Sequence, residues 1–421
     1  MALFFDGWGY SPGVNAPLYS ASAKYLYYGS GAIYEMVAPA VTPPPLTPNP
    51  PAPYWYRYAP NYNSGGGFAQ SRTLGVSDQW IIGLDLVVGY PLPIGAEGVI
   101  FRLESGPATN STYAPNANTQ LLVTIAPDGI LRFYQWASGL MDGTDAGRGL
   151  RLYVTPDPPA LPNDGLTSTY IEIKVQFGPH GSLEVHYNDA AVITLSNTNI
   201  GNSTLGWPDR FSFYWKGVSN NGVSWANVYA STGALDSGGN PQGFKGPCRV
   251  TSHRFTSNER QTWTRNTGAS DVACINENPA DGDATYIEGT SGQEELFATG
   301  KMPCFGRILG VSLCAMGRRS VAGHVARTSY VCRQDPVGHA ETTLQLATDW
   351  ADGYAINQTP PSEYSLRNAG ERWTDGEIEQ AWWGLYAAGP GTARVTQMWV
   401  EKLTSLRNVP YQCGQLGSYS Y

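Results

Sequence analysis

Short apolar runs, each broken by Gly, Pro, Asn or Asp, recur along the whole chain. Trp80–Val88 and Glu97–Leu103 are the first two, and Leu121–Ala126 enters Pro127-Asp128-Gly129 and returns along Ile130–Gln135. Asp-Gly between two apolar runs is a strong hairpin signal, because the turn needs residues that tolerate positive φ. Tyr170–Phe177 sets Ile171, Ile173, Val175 and Phe177 against Glu172, Lys174 and Gln176, the two-residue period of a half-buried strand. Gly178-Pro179-His180-Gly181 turns this segment into Ser182–Tyr187, and Asn188-Asp189 turns that into Ala191–Leu195. Phe211–Lys216 and Trp225–Ala230 complete a first set. A second set comprises Cys248–His253, Asp271–Ile275, Glu294–Ala298, Ile308–Met316, His324–Cys332, Thr342–Ala347, Ala381–Ala387 and Arg394–Leu403, the last with a slip in alternation that predicts a bulge. Thr374-Asp375-Gly376-Glu377 reads as a capping box that opens a short helical turn.

Many short strands with regular turns, and no helix of several turns, predict an all-β protein of sandwich or jelly-roll type. At 421 residues the chain is long enough for two such modules. Residues 1–232 form the first, 233–247 a Gly/Pro-rich linker, 248–405 the second module and 406–421 a C-terminal tail. The tract from Pro39 to Pro60 is dense in proline, which fixes φ and removes ladder donors, so it is expected to run as an extended surface loop.

Composition agrees. Charged residues make up 14% of the chain, against roughly 25% in an average domain, and Gly (49) and Tyr (26) take their place. The net charge of -8, with basic residues scattered, argues against the basic face that nucleic-acid recognition requires. Met1–Trp8 carries no basic region ahead of Asp6, so no cleaved signal is expected, and no apolar run is long enough for membrane insertion. Assembly in a cytoplasm follows as the expectation. The six cysteines, Cys248, Cys274, Cys304, Cys314, Cys332 and Cys413, all lie in the second half without a C-x-x-C pair, which argues against structural zinc. Buried free thiols suit a cytoplasmic product, while the even count also permits disulfides after release into an oxidising medium.

Two stretches resemble known families. Tyr170–Phe177 followed by Gly181–Asp189 resembles the strand pair of concanavalin A-like (laminin-G-like) jelly rolls. Trp225 to Gly300 resembles a recurrent family of tailed-bacteriophage virion proteins, in which a lectin-like module ends in a strand like Asn227-Val228-Tyr229 and the next opens with Gly-x-x-Arg-Val, here Gly246-Pro247-Cys248-Arg249-Val250. Trp263-Thr264…Gly268, Asn276-Glu277 with Asp281-Gly282-Asp283-Ala284-Thr285-Tyr286-Ile287, and Arg372-Trp373-Thr374 with Glu377-Ile378 continue the likeness over roughly residues 75–405. The proline tract and the cysteines have no counterpart in it. The resemblance implies a concanavalin A-like first module and a structural component of a tailed phage particle: a tail, collar or neck part, or a head-surface decoration. Its partners would be other virion proteins and further copies of itself, and its lectin-like module would face the host surface.

Candidate chemistry is sparse. Lectin-fold glycanases need carboxylates clustered toward one cleft; Glu172 and Glu184 stand alone and are expected on a solvated strand face. Asp281 and Asp283 form an oxygen-rich corner that would suit calcium, although the resemblance reads them as Asx-turn residues shaping a loop beside Tyr286. His180, His186, His253, His324 and His339 show no metal-ligand spacing, and neither a nucleophile elbow nor a phosphate-binding glycine loop occurs. The expectation is a protein without enzymatic activity or cofactor. Aromatic residues remain as contact candidates: Trp55, Tyr56 and Tyr58 beside the prolines, and Trp382-Trp383, of which one must face away from a strand's core. The rival readings are a free-standing glycan-binding module and, more remotely, a lectin-fold glycanase.

Overall fold

The computed structural model describes residues 3–6, 25–29, 33–37, 54–58, 67–71, 73–88, 98–106, 118–135, 150–152, 157–164, 167–201, 206–214, 223–235, 239, 242–277, 281–301, 306–321, 325–332, 339–344, 350, 354–358 and 371–407. These residues build four antiparallel sheets. One sheet of the first module runs in the order Ala190–Ile200, Gly178–Tyr187, Ser168–Gln176, Gln79–Val88, Val223–Thr232, Tyr54–Tyr58 and Ile33–Val37, with Leu3–Asp6 also paired to Val223–Thr232. Its companion runs Leu150–Arg151, Leu131–Gln135, Thr119–Ile125, Gly98–Glu104, Arg210–Tyr214, Gly67–Ser71 and Tyr25–Gly29. The second module has one sheet ordered Thr264–Arg265, Ile287–Thr290, Thr392–Ser405, Arg307–Arg319 and Ala355–Gln358, with Cys248–His253 paired to Thr392–Ser405, and another ordered Phe255–Arg260, Glu294–Thr299, Ala381–Ala388, Val325–Cys332 and His339–Leu344. Among the described residues no sheet mixes strands from the two sides of 233–247. The fold is thus all-β: two tandem sandwiches, the first of concanavalin A-like jelly-roll type.

The strand Gln79–Val88 shows how the sequence dictates position. Trp80, Ile82, Leu84, Leu86 and Val88 enter the apolar core between the two sheets of the first module, while Ile81 belongs to a separate cluster on the opposite face. Every residue of the strand is buried, which is why its sequence is a nearly continuous apolar run rather than an alternation. The edge strand Ala190–Ile200, in contrast, is largely exposed and rich in Thr, Ser and Asn. A small void of about 20 Å3, lined by residues such as Leu84, Phe101, Val123 and Ile173, remains in the core of the first sandwich.

Local turn chemistry follows the residue types. Gly129 adopts φ +82 in the predicted Pro127–Gly129 hairpin, where Ile130 donates its amide to Asp128 Oδ1 at 3.1 Å. Asn188 and Asp189 both take positive φ, 49 and 71, in the tight turn after Tyr187. The Thr374 capping box forms as expected: Glu377 donates its amide to Thr374 Oγ1 (3.2 Å) and Thr374 donates its own to Glu377 (2.8 Å), at the start of helix Asp375–Gln380.

Two expectations are corrected. Asp271–Ile275 is a short α-helix, not a strand, because Ser270 caps it by accepting the Ala273 amide at 3.1 Å, and Cys274 and Ile275 are both buried on consecutive positions that one helical face can share. The proline tract is not a loop throughout: Tyr54–Tyr58 pairs with Ile33–Val37 and with Val223–Thr232. Those five residues contain no proline and are mostly aromatic, so they carry the β preference that the flanking Pro53 and Pro60 lack. Residues 39–53 and 59–60 lie outside the described residues. No helix among the described residues is long and apolar enough to cross a membrane.

Candidate functional site at the module seam

The face of the first module's sheet that carries Ile81, Gly83 and Asp85 is covered by the second module. Leu3, Phe5, Ile81, Tyr170 and Tyr229 pack there with Cys248, Val250, Leu309 and Leu403, and Cys314 and Trp399 extend the apolar cluster of the first sandwich. Leu3 and Phe5 rest on Gly310, where an added Cβ would lie 2.8 Å from each. Burying an apolar side chain of this kind contributes roughly 1.5–3 kcal/mol, so the first strand adheres to both modules.

Polar groups are threaded through this apolar seam. Glu172, only 1% exposed, accepts hydrogen bonds from the Tyr229 hydroxyl, from the Lys245 amide at 2.6 Å and from the Gly246 amide at 3.1 Å. Asn227, in left-handed backbone at φ 50 where the strand register shifts, donates to Asp85 Oδ2 at 2.6 Å and accepts the Val250 amide at 3.0 Å. Asp85 is also 1% exposed. Burial pushes both carboxyls up to about 7, outweighing the Asn227 bond at Asp85 and the Tyr229 and amide bonds at Glu172. The same burial raises Tyr170, Tyr229 and Cys248 well above their ordinary ranges and brings Arg249 down to about 10.

The 233–247 segment takes part in this seam. Gln242 accepts from Ser231 Oγ at 2.7 Å and donates to the Thr232 and Leu235 carbonyls, both at 3.1 Å. At the far end of the second module, Leu406 donates its amide to the Pro247 carbonyl at 2.8 Å and Arg407 pairs with Asp189. Residues 408–421 lie outside the described residues.

Glu172 therefore does not sit on a solvated face, as its alternating strand suggests; the second module covers that face. Glu184 is partly exposed and pairs with His186 at 2.8 Å, and His186 stacks on Phe244 at 4.0 Å between ring centroids. His180 bonds Asn197 at the surface, and His253 is pushed down to about 3 by burial and by Lys402. His324 lies outside the described residues, and His339 opens the strand His339–Leu344.

The Asp281–Tyr286 corner is closed by its own side chains. Asp281 accepts from the Thr285 amide and hydroxyl, each at 2.9 Å, and Thr285 also bonds Glu277. Asn266 accepts the Tyr286 amide at 2.8 Å and donates to the carbonyls of Asp283 and Ala284. Asp283 meets the guanidinium groups of Arg318 and Arg394 and accepts from the Tyr354 hydroxyl at 3.2 Å. Those arginines alternate with rings. Arg318 lies 4.7 Å from the Tyr354 centroid and 4.5 Å from that of Trp350, and Arg394 lies 4.2 Å from Trp350 and 4.2 Å from Tyr286. No local motif encodes this ladder, because Tyr286, Arg318, the Trp350 and Tyr354 pair and Arg394 are each more than thirty residues apart along the chain. Among the described residues no cluster of three or more His, Cys, Asp and Glu is arranged to hold a metal.

Trp382 and Trp383 take opposite faces. Trp383 is fully buried, 5.9 Å from the Trp373 ring centre, and donates to the Ile378 carbonyl at 3.3 Å; Trp382 is half-buried on the other side of the strand. Trp55, Tyr56 and Tyr58 lie on the strand Tyr54–Tyr58. Cys248 and Cys274 are buried free thiols and Cys314 is buried as well; Cys332 ends the strand Val325–Cys332, and Cys304 and Cys413 lie outside the described residues.

No protein-family profile matches the chain, and no curated protein matches it. Solved structures similar to it include an endo-β-1,4-glucuronan lyase from the fungus Trichoderma reesei, at 11% identity and TM-score 0.36, covering 56% of this chain and 98% of that one. The exoplasmic/lumenal domain of VIP36, in a form bound to Ca2+ and Man3GlcNAc, is similar at 10% identity and TM-score 0.34, covering 53% and 88%. Alginate lyase vAL-1 from a Chlorella virus is similar at 14% identity and TM-score 0.32, covering 52% and 91%.

Proposed function

We propose that the chain is a non-catalytic structural component of a tailed-bacteriophage particle, assembled in the host cytoplasm and held by contacts with other virion proteins and with copies of itself. One observation carries the reading. The residues on which the sequence resemblance rests, Asn227, Tyr229, Gly246 and Val250, are the ones that join the two modules through Asp85 and Glu172. The second group of shared motif residues, Asn266, Asp281, Thr285 and Tyr286, closes a corner by mutual hydrogen bonds. Motif positions spent on joining modules and shaping corners support a building block, whereas a catalyst would direct its polar residues toward an open cleft. A seam that is apolar at its centre and fully hydrogen-bonded at Glu172 keeps two modules in one orientation, as a symmetric assembly requires of its subunit.

Quantitative mass spectrometry of purified particles tests this reading. The chain is expected among the stoichiometric components. Its absence from particles, together with saturable polysaccharide binding by the isolated chain, would favour a free-standing glycan-binding module instead.

A further inference from the structure

The strand Leu3–Asp6 is four residues long and divides its side chains between the two modules. Phe4 enters the core of the first sandwich, where its ring centre lies 5.1 Å from that of Phe211. Leu3 and Phe5 join the seam cluster with Cys248, Val250, Leu309 and Leu403. The ladder agrees with this division. Phe4 pairs with Ala230, a residue of the first core, and Phe5 pairs with Tyr229, a residue of the seam. Two-residue alternation thus makes one short strand a bridge between two apolar clusters.

The second module carries a matching socket. Its strand Arg307–Arg319 pairs Ile308 with Thr404 and Gly310 with Leu403, which leaves Leu309 as a bulged extra residue. The bulge turns two consecutive residues toward the first module. Ile308 and Val311 stay in the second module's own core, whereas Leu309 enters the seam and Gly310 meets Leu3 and Phe5. A Cβ at Gly310 would lie 2.8 Å from each of those side chains, so they occupy the space a larger residue would need.

The first sandwich keeps its sheet without this strand. Val223–Thr232 is paired along its other edge with Gln79–Val88, and Tyr54–Tyr58 completes the near edge at Ser224 and Trp225. Among the described residues Leu3–Asp6 pairs with Val223–Thr232 alone. Its hold is three apolar side chains and one short ladder, which open at lower cost than the long ladders inside each sheet. We propose that Leu3–Asp6 is a strap across the seam. Seated in the Gly310 socket, it pins the second module to the first; released, it lets the modules part at Cys248 and Val250 while each sandwich stays folded.

Two thiols give the test its readout. Cys248 is buried in the seam cluster with Leu3 and Phe5, whereas Cys274 is buried in the second module's own core. Timed alkylation of the full chain with iodoacetamide, mapped by peptide mass spectrometry, compares them. The Leu3→Ala, Phe5→Ala double variant is expected to speed labelling of Cys248 at least about tenfold and to leave Cys274 at the parental rate. Hydrogen exchange at Thr119–Ile125 is expected to stay parental, as the first sandwich remains closed. Gly310→Ala blocks the socket from the second module and leaves the strap's own sequence intact. It is expected to speed Cys248 labelling in the same selective way, and it carries the test should the double variant fail to fold. Unchanged Cys248 labelling in a folded variant overturns the proposal. A parallel rise at Cys274 or Thr119–Ile125 overturns it too, because the strand would then belong to one cooperative unit.

Discussion

Val250 donates its amide to Asn227 Oδ1 at 3.0 Å, a bond from the first strand of the second module to the bulged strand of the first. Asn227 can accept it because its backbone is left-handed, φ 50, which turns the side chain out of the regular ladder toward both Val250 and Asp85. Asn is one of the few side-chain-bearing residues that visit this region readily.

Replacing Asn227 separates the two roles. Asn227→Gly keeps the backbone and leaves the Val250 amide buried without its acceptor, a loss of about 1–3 kcal/mol. Asn227→Ala adds the cost of a Cβ at positive φ, about 1 kcal/mol more. Urea denaturation of the two variants is expected to rank Gly above Ala in stability, and the reverse order would contradict the backbone argument.

Gly83 lies between Glu172 and Tyr229 in register, and a Cβ there would fall 2.2 Å from the Tyr229 ring and 2.4 Å from the Tyr170 hydroxyl. Gly83→Ala is expected to destabilise by about 1–3 kcal/mol through overpacking of the seam. In a Tyr229→Ala background the same change should cost less, with a coupling above about 1 kcal/mol, because the obstructing ring is gone. Additive effects in a thermal-denaturation cycle would show that Gly83 matters for another reason.

Much of this architecture is legible locally. The nearly continuous apolar run of Gln79–Val88 signals a strand buried on both faces, Asn188-Asp189 marks a tight turn, and Thr374 with Glu377 sets a helix start. Each of those features is written within a few consecutive residues. Glu172 reads as solvated because its own strand alternates cleanly; only the arrival of Lys245 and Gly246, more than seventy residues later, buries it. Asp271–Ile275 reads as a strand by composition, and Ser270 overrides that preference through one cap. The Arg318–Trp350–Arg394–Tyr286 ladder is likewise set by tertiary folding, since no spacing along the chain encodes it.

Inside the second module, Glu295 is fully buried beside Asp271, with Asn258 donating to both at 2.8 Å and 3.3 Å. Burial, reinforced by the nearby Asp271 carboxylate, raises Glu295 from 4.5 to about 7, against hydrogen bonds from the Trp263 and Thr262 amides. The folded state thus holds a proton that the unfolded chain releases, so this contribution is present below about pH 4.5 and is lost as pH rises through about 7. Asp271→Asn removes the like charge and is expected to flatten the decline in urea midpoint between about pH 5 and about pH 8. A decline as steep as the parent's would assign the effect to burial without Asp271.

Trp382 and Trp383 are adjacent in sequence and opposite in environment. Trp383 fills the core of the second sandwich against Trp373, and Trp383→Ala is expected to cost about 3–5 kcal/mol, the range for emptying a large buried aromatic site. Trp382 is half-buried on the other face, so Trp382→Ala should cost about 1 kcal/mol or less in the isolated chain. If the chain is a particle subunit and that face meets a neighbour, Trp382→Ala should weaken incorporation into particles far more than it lowers the melting temperature, because anchoring aromatics dominate contacts between proteins. Incorporation at the parental level by a folded Trp382→Ala variant would remove Trp382 from the contact surface and leave its ring as cover for the sheet alone.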